Sequence, residues 1–71
     1  MKTLPQRLKE IRATQGLSQA ELAEKAGLSQ PFIGAIEAGK KSPTVRTVEK
    51  LAVALGVSIF ELLDKPKKEV S

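Results

Sequence analysis

Between Gln19 and Glu37 the chain carries two short helical patterns with almost nothing between them. Leu22, Ala23 and Ala26 share one face of the first, and Ile33 and Ile36 share one face of the second, at the three- and four-residue spacing of an α-helix. Gly27 stands where the first helix must end, suited to the left-handed backbone that closes a helix, and Ser29 stands where the second must begin, suited to cap its free N–H groups. A turn this short leaves the pair little freedom, so the second helix is held at a fixed angle against the first. Any fold of this chain has to be built around that pair.

The remaining segments supply helices to do so. Leu4, Leu8 and Ile11 recur at helical spacing and stop at Gly16, predicting a first helix from about Pro5 to Gln15, with Pro5 in a first turn where its missing N–H costs nothing. Ser18 and Glu21 form a capping box at the start of the second helix. Pro31 falls in the first turn of the third helix, which Gly39 ends. After Lys40, Lys41, Ser42 and Pro43, Thr44 caps a fourth helix that carries Val48, Leu51, Ala52 and Leu55 inward and closes at Gly56. Ser58 and Glu61 read as a second capping box opening a short fifth helix with Ile59, Leu62 and Leu63. No stretch alternates with period two, so the fold class is all-α. Residues 1–64 form one domain, and 65–71, with too little apolar content to pack, a flexible C-terminal tail.

Composition narrows the chemistry. A chain of 71 residues has room for one small core, and with neither cysteine nor histidine it has no disulfide, no thiolate or imidazole metal ligand and no imidazole base. No cofactor is expected. Glu21, Glu24, Glu37, Glu49 and Glu61 are better explained as caps, surface charges and one ion-pair partner than as paired catalytic acids, so an enzyme is not expected. Residues 1–5 contain no apolar run resembling a secretory signal and the longest apolar stretches are broken by charge, so a soluble cytoplasmic protein with no membrane partner is expected. The formal charge of +4 is compatible with a nucleic-acid partner but common among small soluble proteins.

Two helices joined in this way form a helix-turn-helix, whose second helix can enter the major groove of DNA. Leu8 to Arg12, Gly16 to Gln19, Leu22-Ala23, Gly27, Ser29-Gln30, Ile33, Ile36-Glu37, Gly39 and Leu51 to Val57 together resemble the Cro and phage-repressor type of helix-turn-helix domain, the XRE family of transcriptional regulators, over about Leu8 to Leu63. The resemblance implies a compact five-helix, lambda-repressor-like fold, sequence-specific binding of double-stranded DNA, and a homodimer on a two-fold symmetric operator, with a repressor as the expected role. It also implies an ion pair between Arg12 and Glu37 that ties helix one to the end of helix three, which makes Glu37 scaffold and not a DNA-facing residue.

Contacts to DNA are then assigned by chemistry. Gln19 begins the second helix, where free N–H groups and the helix dipole favour a phosphate. Gln30 begins the recognition helix, and its amide can pair with the N7 and N6 edge of adenine. Ser29 is placed beside it as a base contact. Phe32 has two readings, a contact with a thymine methyl or burial against helix one or two. Pro31, Gly34 and Ala35 make the outward face of this helix apolar and small, poor in base-reading groups. Lys40, Lys41 and Arg46 follow the recognition helix and are assigned to the phosphate backbone. Phe60 is read either as an interface anchor for a second copy or as a single exposed apolar residue of no consequence.

Two further readings stay open. In one the chain is an interaction module, such as the antitoxin of a toxin–antitoxin pair, that binds a partner protein as well as its own promoter; in the other it is the DNA-binding part of a longer sensor protein, with 65–71 as the start of a linker.

Overall fold

The computed structural model describes residues 3–64; the tail expected over 65–71 lies outside them. Five helices follow in order: α1 Leu4–Thr14, α2 Gln19–Ala26, α3 Gln30–Glu37, α4 Val45–Leu55 and α5 Ile59–Leu62. There is no strand among the described residues, and no described helix is long and apolar enough to cross a membrane.

Local chemistry sets nearly every boundary. Ser18 and Glu21 close the predicted capping box, with Glu21 N–H donating to Ser18 Oγ at 3.0 Å and Ser18 N–H to Glu21 Oε1 at 2.8 Å. Helix α1 begins one residue earlier than Pro5 and ends one residue before Gln15. Its start is fixed by a capping box that the reading from Pro5 passed over: Thr3 Oγ1 accepts from Gln6 N–H and Gln6 Oε1 accepts from Thr3 N–H. At α5 only the serine half of the expected box forms, Glu61 N–H donating to Ser58 Oγ at 3.1 Å. The α5 backbone is tied elsewhere, since Glu61 C=O accepts from Arg7 Nε of α1 at 3.0 Å.

The joint between α2 and α3 is built as its residues dictate. Gly27 adopts φ 69°, which returns Leu28 N–H to Ala23 C=O at 2.8 Å and satisfies a carbonyl left free at the helix end. Ser29 Oγ then accepts from Phe32 N–H at 3.2 Å, and α3 begins.

A single core lies among the helices. Leu8, Leu22, Ile33, Ile36, Leu51 and Leu62 are fully enclosed, with Ile11, Ala23, Ala26, Val48, Ala52 and Leu55 around them. Every helix contributes, and α3 packs on both α1 and α2, so its pose is fixed from two sides. Truncating any one of the enclosed leucines to alanine costs about 2–5 kcal/mol in cores of this kind. The backs of α2 and α3 are thus welded to the scaffold while their N-terminal ends stay accessible.

Candidate nucleic-acid interface

The first residues of α2 and α3 come together at that accessible end, and a chain of side-chain hydrogen bonds joins them to the core. Arg12 on α1 starts it. Its Nε donates to Glu37 Oε2 at 2.7 Å and its Nη2 to Glu37 Oε1 at 3.1 Å, a two-pronged ion pair, while Nη1 donates to Leu17 C=O at 2.6 Å. The pair is largely withdrawn from water, with 14% of the Arg12 side chain and 4% of the Glu37 side chain exposed.

Burial pushes the Glu37 carboxyl towards its neutral form, but hydrogen bonds from Arg12 and Gln19, with the charges of Arg12 and Lys9, outweigh it and hold the group below the ordinary glutamate range. Arg12 is moved the other way, further into its charged range, chiefly by its hydrogen bond to Glu37. Lys9, an exposed residue three positions before Arg12, was not among the residues singled out from the sequence. The spacing of Lys9 and Arg12 on one helix was the available signal.

From Glu37 the chain passes outward. Gln19 Nε2 donates to Glu37 Oε1 at 3.1 Å, and Gln30 Nε2 donates to Gln19 Oε1 at 2.7 Å. The direction follows from charge: an ionised carboxylate only accepts, so it takes the nitrogen end of the Gln19 amide. That leaves the Gln19 oxygen facing Gln30, which must answer with its own nitrogen. Gln30 therefore keeps its Oε1 and its second N–H for a partner outside the protein. These are the two groups needed to pair with the adenine edge in the major groove.

Seen in place, Gln19 does more than stand at a helix start, for its side chain bridges α3 residues on either side. The capping box takes the Ser18 and Glu21 N–H groups, and those of Gln19 and Ala20 remain as the anion-attracting groups at this end. Ser29 is exposed, and its hydroxyl oxygen is used as a cap while its proton stays free to donate. Phe32 is half-buried and packs on the core, so the structure gives part of the ring to the burial reading and leaves part at the surface.

Beyond α3 the chain turns at Gly39, φ 75°, and the Lys40 N–H returns to Ala35 C=O at 2.9 Å. That bond fixes the backbone of the basic loop against α3, with the Lys40 and Lys41 side chains exposed. Arg46 is exposed in the first turn of α4, a turn with no acidic residue, and Glu49 lies three positions further along the helix. Phe60, 40% exposed, lies on α5. Val45 and Val53 are more exposed still, at 76% and 81%, and neither was singled out from the sequence. No group of acidic residues suited to hold a metal occurs among the described residues.

A helix-turn-helix family model matches residues 8–62, which is most of the chain and contains all five helices except the first turn of α1. The chain belongs to the helix-turn-helix family. Within it, the chain is 45% identical over 62 residues to the transcriptional regulator PuuR of Escherichia coli, covering 87% of this chain and 34% of PuuR. It is 42% identical over 61 residues to the immunity repressor protein of Bacillus phage phi105, covering 86% of this chain and 42% of the repressor. The chain thus spans between a third and a half of the length of these two relatives. Among solved structures it matches the master regulator for biofilm formation SinR in complex with DNA, with a TM-score of 0.82 and 38% identity over 87% of this chain and 100% of that one. The family assignment makes this chain an XRE-type helix-turn-helix domain with the five-helix, lambda-repressor-like fold.

Proposed function

We propose that this chain is a sequence-specific DNA-binding repressor that places α3 in the major groove, acts as a homodimer on a two-fold symmetric operator and works in the cytoplasm. The observation that carries the reading is the hydrogen-bonded chain from Arg12 through Glu37 and Gln19 to Gln30. It offers one oriented amide at the start of α3 for base reading, while the α2 N-terminus provides phosphate-binding amides. The likeness to a SinR structure that contains DNA supports the docking, and the likeness to a phage immunity repressor supports repression.

In this reading Gln30 reads a base, with Ser29 and the exposed part of Phe32 beside it. Lys40, Lys41 and Arg46 hold the phosphates that flank the groove. Because α3 offers few other polar groups, DNA shape and deformability carry a large share of the specificity. A second copy packed at Phe60 sets two α3 helices about 34 Å apart, one helical turn of DNA. We assign no catalysis.

Selection from a pool of randomised duplexes with the purified protein tests this. The reading expects one short half-site recovered in two inverted copies, about 10 base pairs between centres. Recovery of unrelated sequences bound equally well sinks it.

A further inference from the structure

Four of the five glycines have positive φ and close helices or turns, a conformation that other residues adopt at a cost. Gly34 is the exception. It lies in the middle of α3 with ordinary helical φ, where glycine is a poor helix former and alanine a better one. Backbone freedom does not explain it, so the reason lies in space.

A Cβ on residue 34 would stand 3.3 Å from Gln19 Oε1 and 3.8 Å from both Gln19 Cδ and Nε2, whereas a Cβ on any of the other four glycines would meet nothing within 4 Å. The crowding falls on the atom that accepts from Gln30. Gln19 has little slack with which to yield, because its nitrogen is held by Glu37 at 3.1 Å and its oxygen by Gln30 at 2.7 Å.

We propose that Gly34 is a specificity-determining position: by having no side chain it lets the Gln19 amide lie against α3, and this seat fixes the orientation in which Gln30 meets DNA. The inference rests on the DNA-binding reading above and adds a residue that touches no base itself. Gly34 is a positioning residue, and it acts through Gln19.

The test separates this role from a structural one by reading stability and base preference apart. Gly34→Ala sets a gain in helix propensity against displacement of the Gln19 amide, so its melting temperature is expected to stay close to that of wild type. Its preference for the selected duplex over duplexes substituted at the base read by Gln30 is expected to fall about fivefold or more, the lower end of what a two-bond amide contact contributes. Gln19→Ala is expected to cause the same loss in wild type and no further loss in Gly34→Ala. In the free protein, the side-chain amide resonances of Gln19 and Gln30 are expected to shift in Gly34→Ala, which reports the seat without DNA.

Unchanged amide resonances together with wild-type base preference overturn the proposal. So does a uniform loss of affinity for all duplexes, which means that the new methyl group obstructs the DNA directly. Shifted amide resonances in a protein whose wild type shows no preference among duplexes overturn the DNA-reading function and leave the seat itself established.

Discussion

Replacing Glu37 by alanine removes the acceptor on which both halves of the buried chain depend. Arg12 then keeps only Leu17 C=O as a partner, with 14% of its side chain exposed, and two of its donors are left facing a cavity. Loss of one member of a buried pair costs about 3–5 kcal/mol. The bond that Arg12 retains argues for the lower end, about 3 kcal/mol. At about 0.05–0.15 kcal/mol per residue, a domain of this length has a total stability of about 4–11 kcal/mol, so the loss is a large fraction of it. For this size, 1 kcal/mol moves the melting temperature by about 4–8 °C, and the expected fall is about 12–24 °C.

The assay is thermal unfolding followed by helical circular dichroism, for wild type, Glu37→Ala, and the double replacement Arg12→Met with Glu37→Leu. The double variant buries no uncompensated charge and is expected to recover more than half of the loss. A melting temperature for Glu37→Ala within about 4 °C of wild type, or a double variant no more stable than Glu37→Ala, refutes the reasoning. The hydrogen bond from Gln19 adds a second consequence. Assayed well below its melting temperature, Glu37→Ala is expected to lose base discrimination as well, which a residue serving the scaffold alone does not affect.

Acidification tests the same group by a different route. The folded-state pKa of Glu37 lies below its ordinary value, so its stabilising contribution is complete above about pH 4.3 and is lost as pH falls through the folded value. The stability difference between wild type and Glu37→Gln is therefore expected to be constant from about pH 6 to 8 and to shrink below about pH 4; a difference that grows on acidification contradicts the assignment. Lys40→Ala and Lys41→Ala are each expected to reduce the log–log salt slope of DNA binding by about 0.9 without altering base preference, and an unchanged slope removes them from the phosphate contacts. Phe60→Ser is expected to abolish the concentration dependence seen for wild type in sedimentation, and equal sedimentation of both at all concentrations excludes Phe60 as the anchor.

What could be read from the sequence was whatever is decided within one turn of helix. Ser18, Ser29, Thr44 and Ser58 each cap the helix they precede, and Gly27 and Gly56 end the helices they follow, because these effects need only a residue and its near neighbours. Thr3 and Gln6 carry the same signal, obscured by starting the helix at Pro5. The interface is different. Arg12, Glu37, Gln19 and Gln30 meet across three helices, at separations of 25, 18 and 11 positions that have no local signature; the family resemblance supplied the Arg12–Glu37 pair, and the links through Gln19 to Gln30 were not expected.

The consequence is visible at Gln19. Its position at a helix start suggested a phosphate ligand, and only the crossing of α2 over α3 shows its side chain held between Glu37 and Gln30. Gly34 likewise looked like an empty stretch of the outward face until Gln19 was found lying against it. Phe32 was ambiguous for a physical reason, since a half-buried ring satisfies part of both readings. Val53 lies off the inward face of Val48, Leu51, Ala52 and Leu55 that the spacing gave, and it is among the most exposed apolar residues.

The central claim is that the oriented amide of Gln30 reads a base. Its most direct measurement is the affinity of wild type and Gln30→Ala for the selected operator and for every single-base substitution within one half-site. The account predicts that Gln30→Ala loses about 5- to 150-fold of discrimination, equivalent to about 1–3 kcal/mol, at one base position and keeps its preference at the others. An unchanged base preference at every position contradicts it.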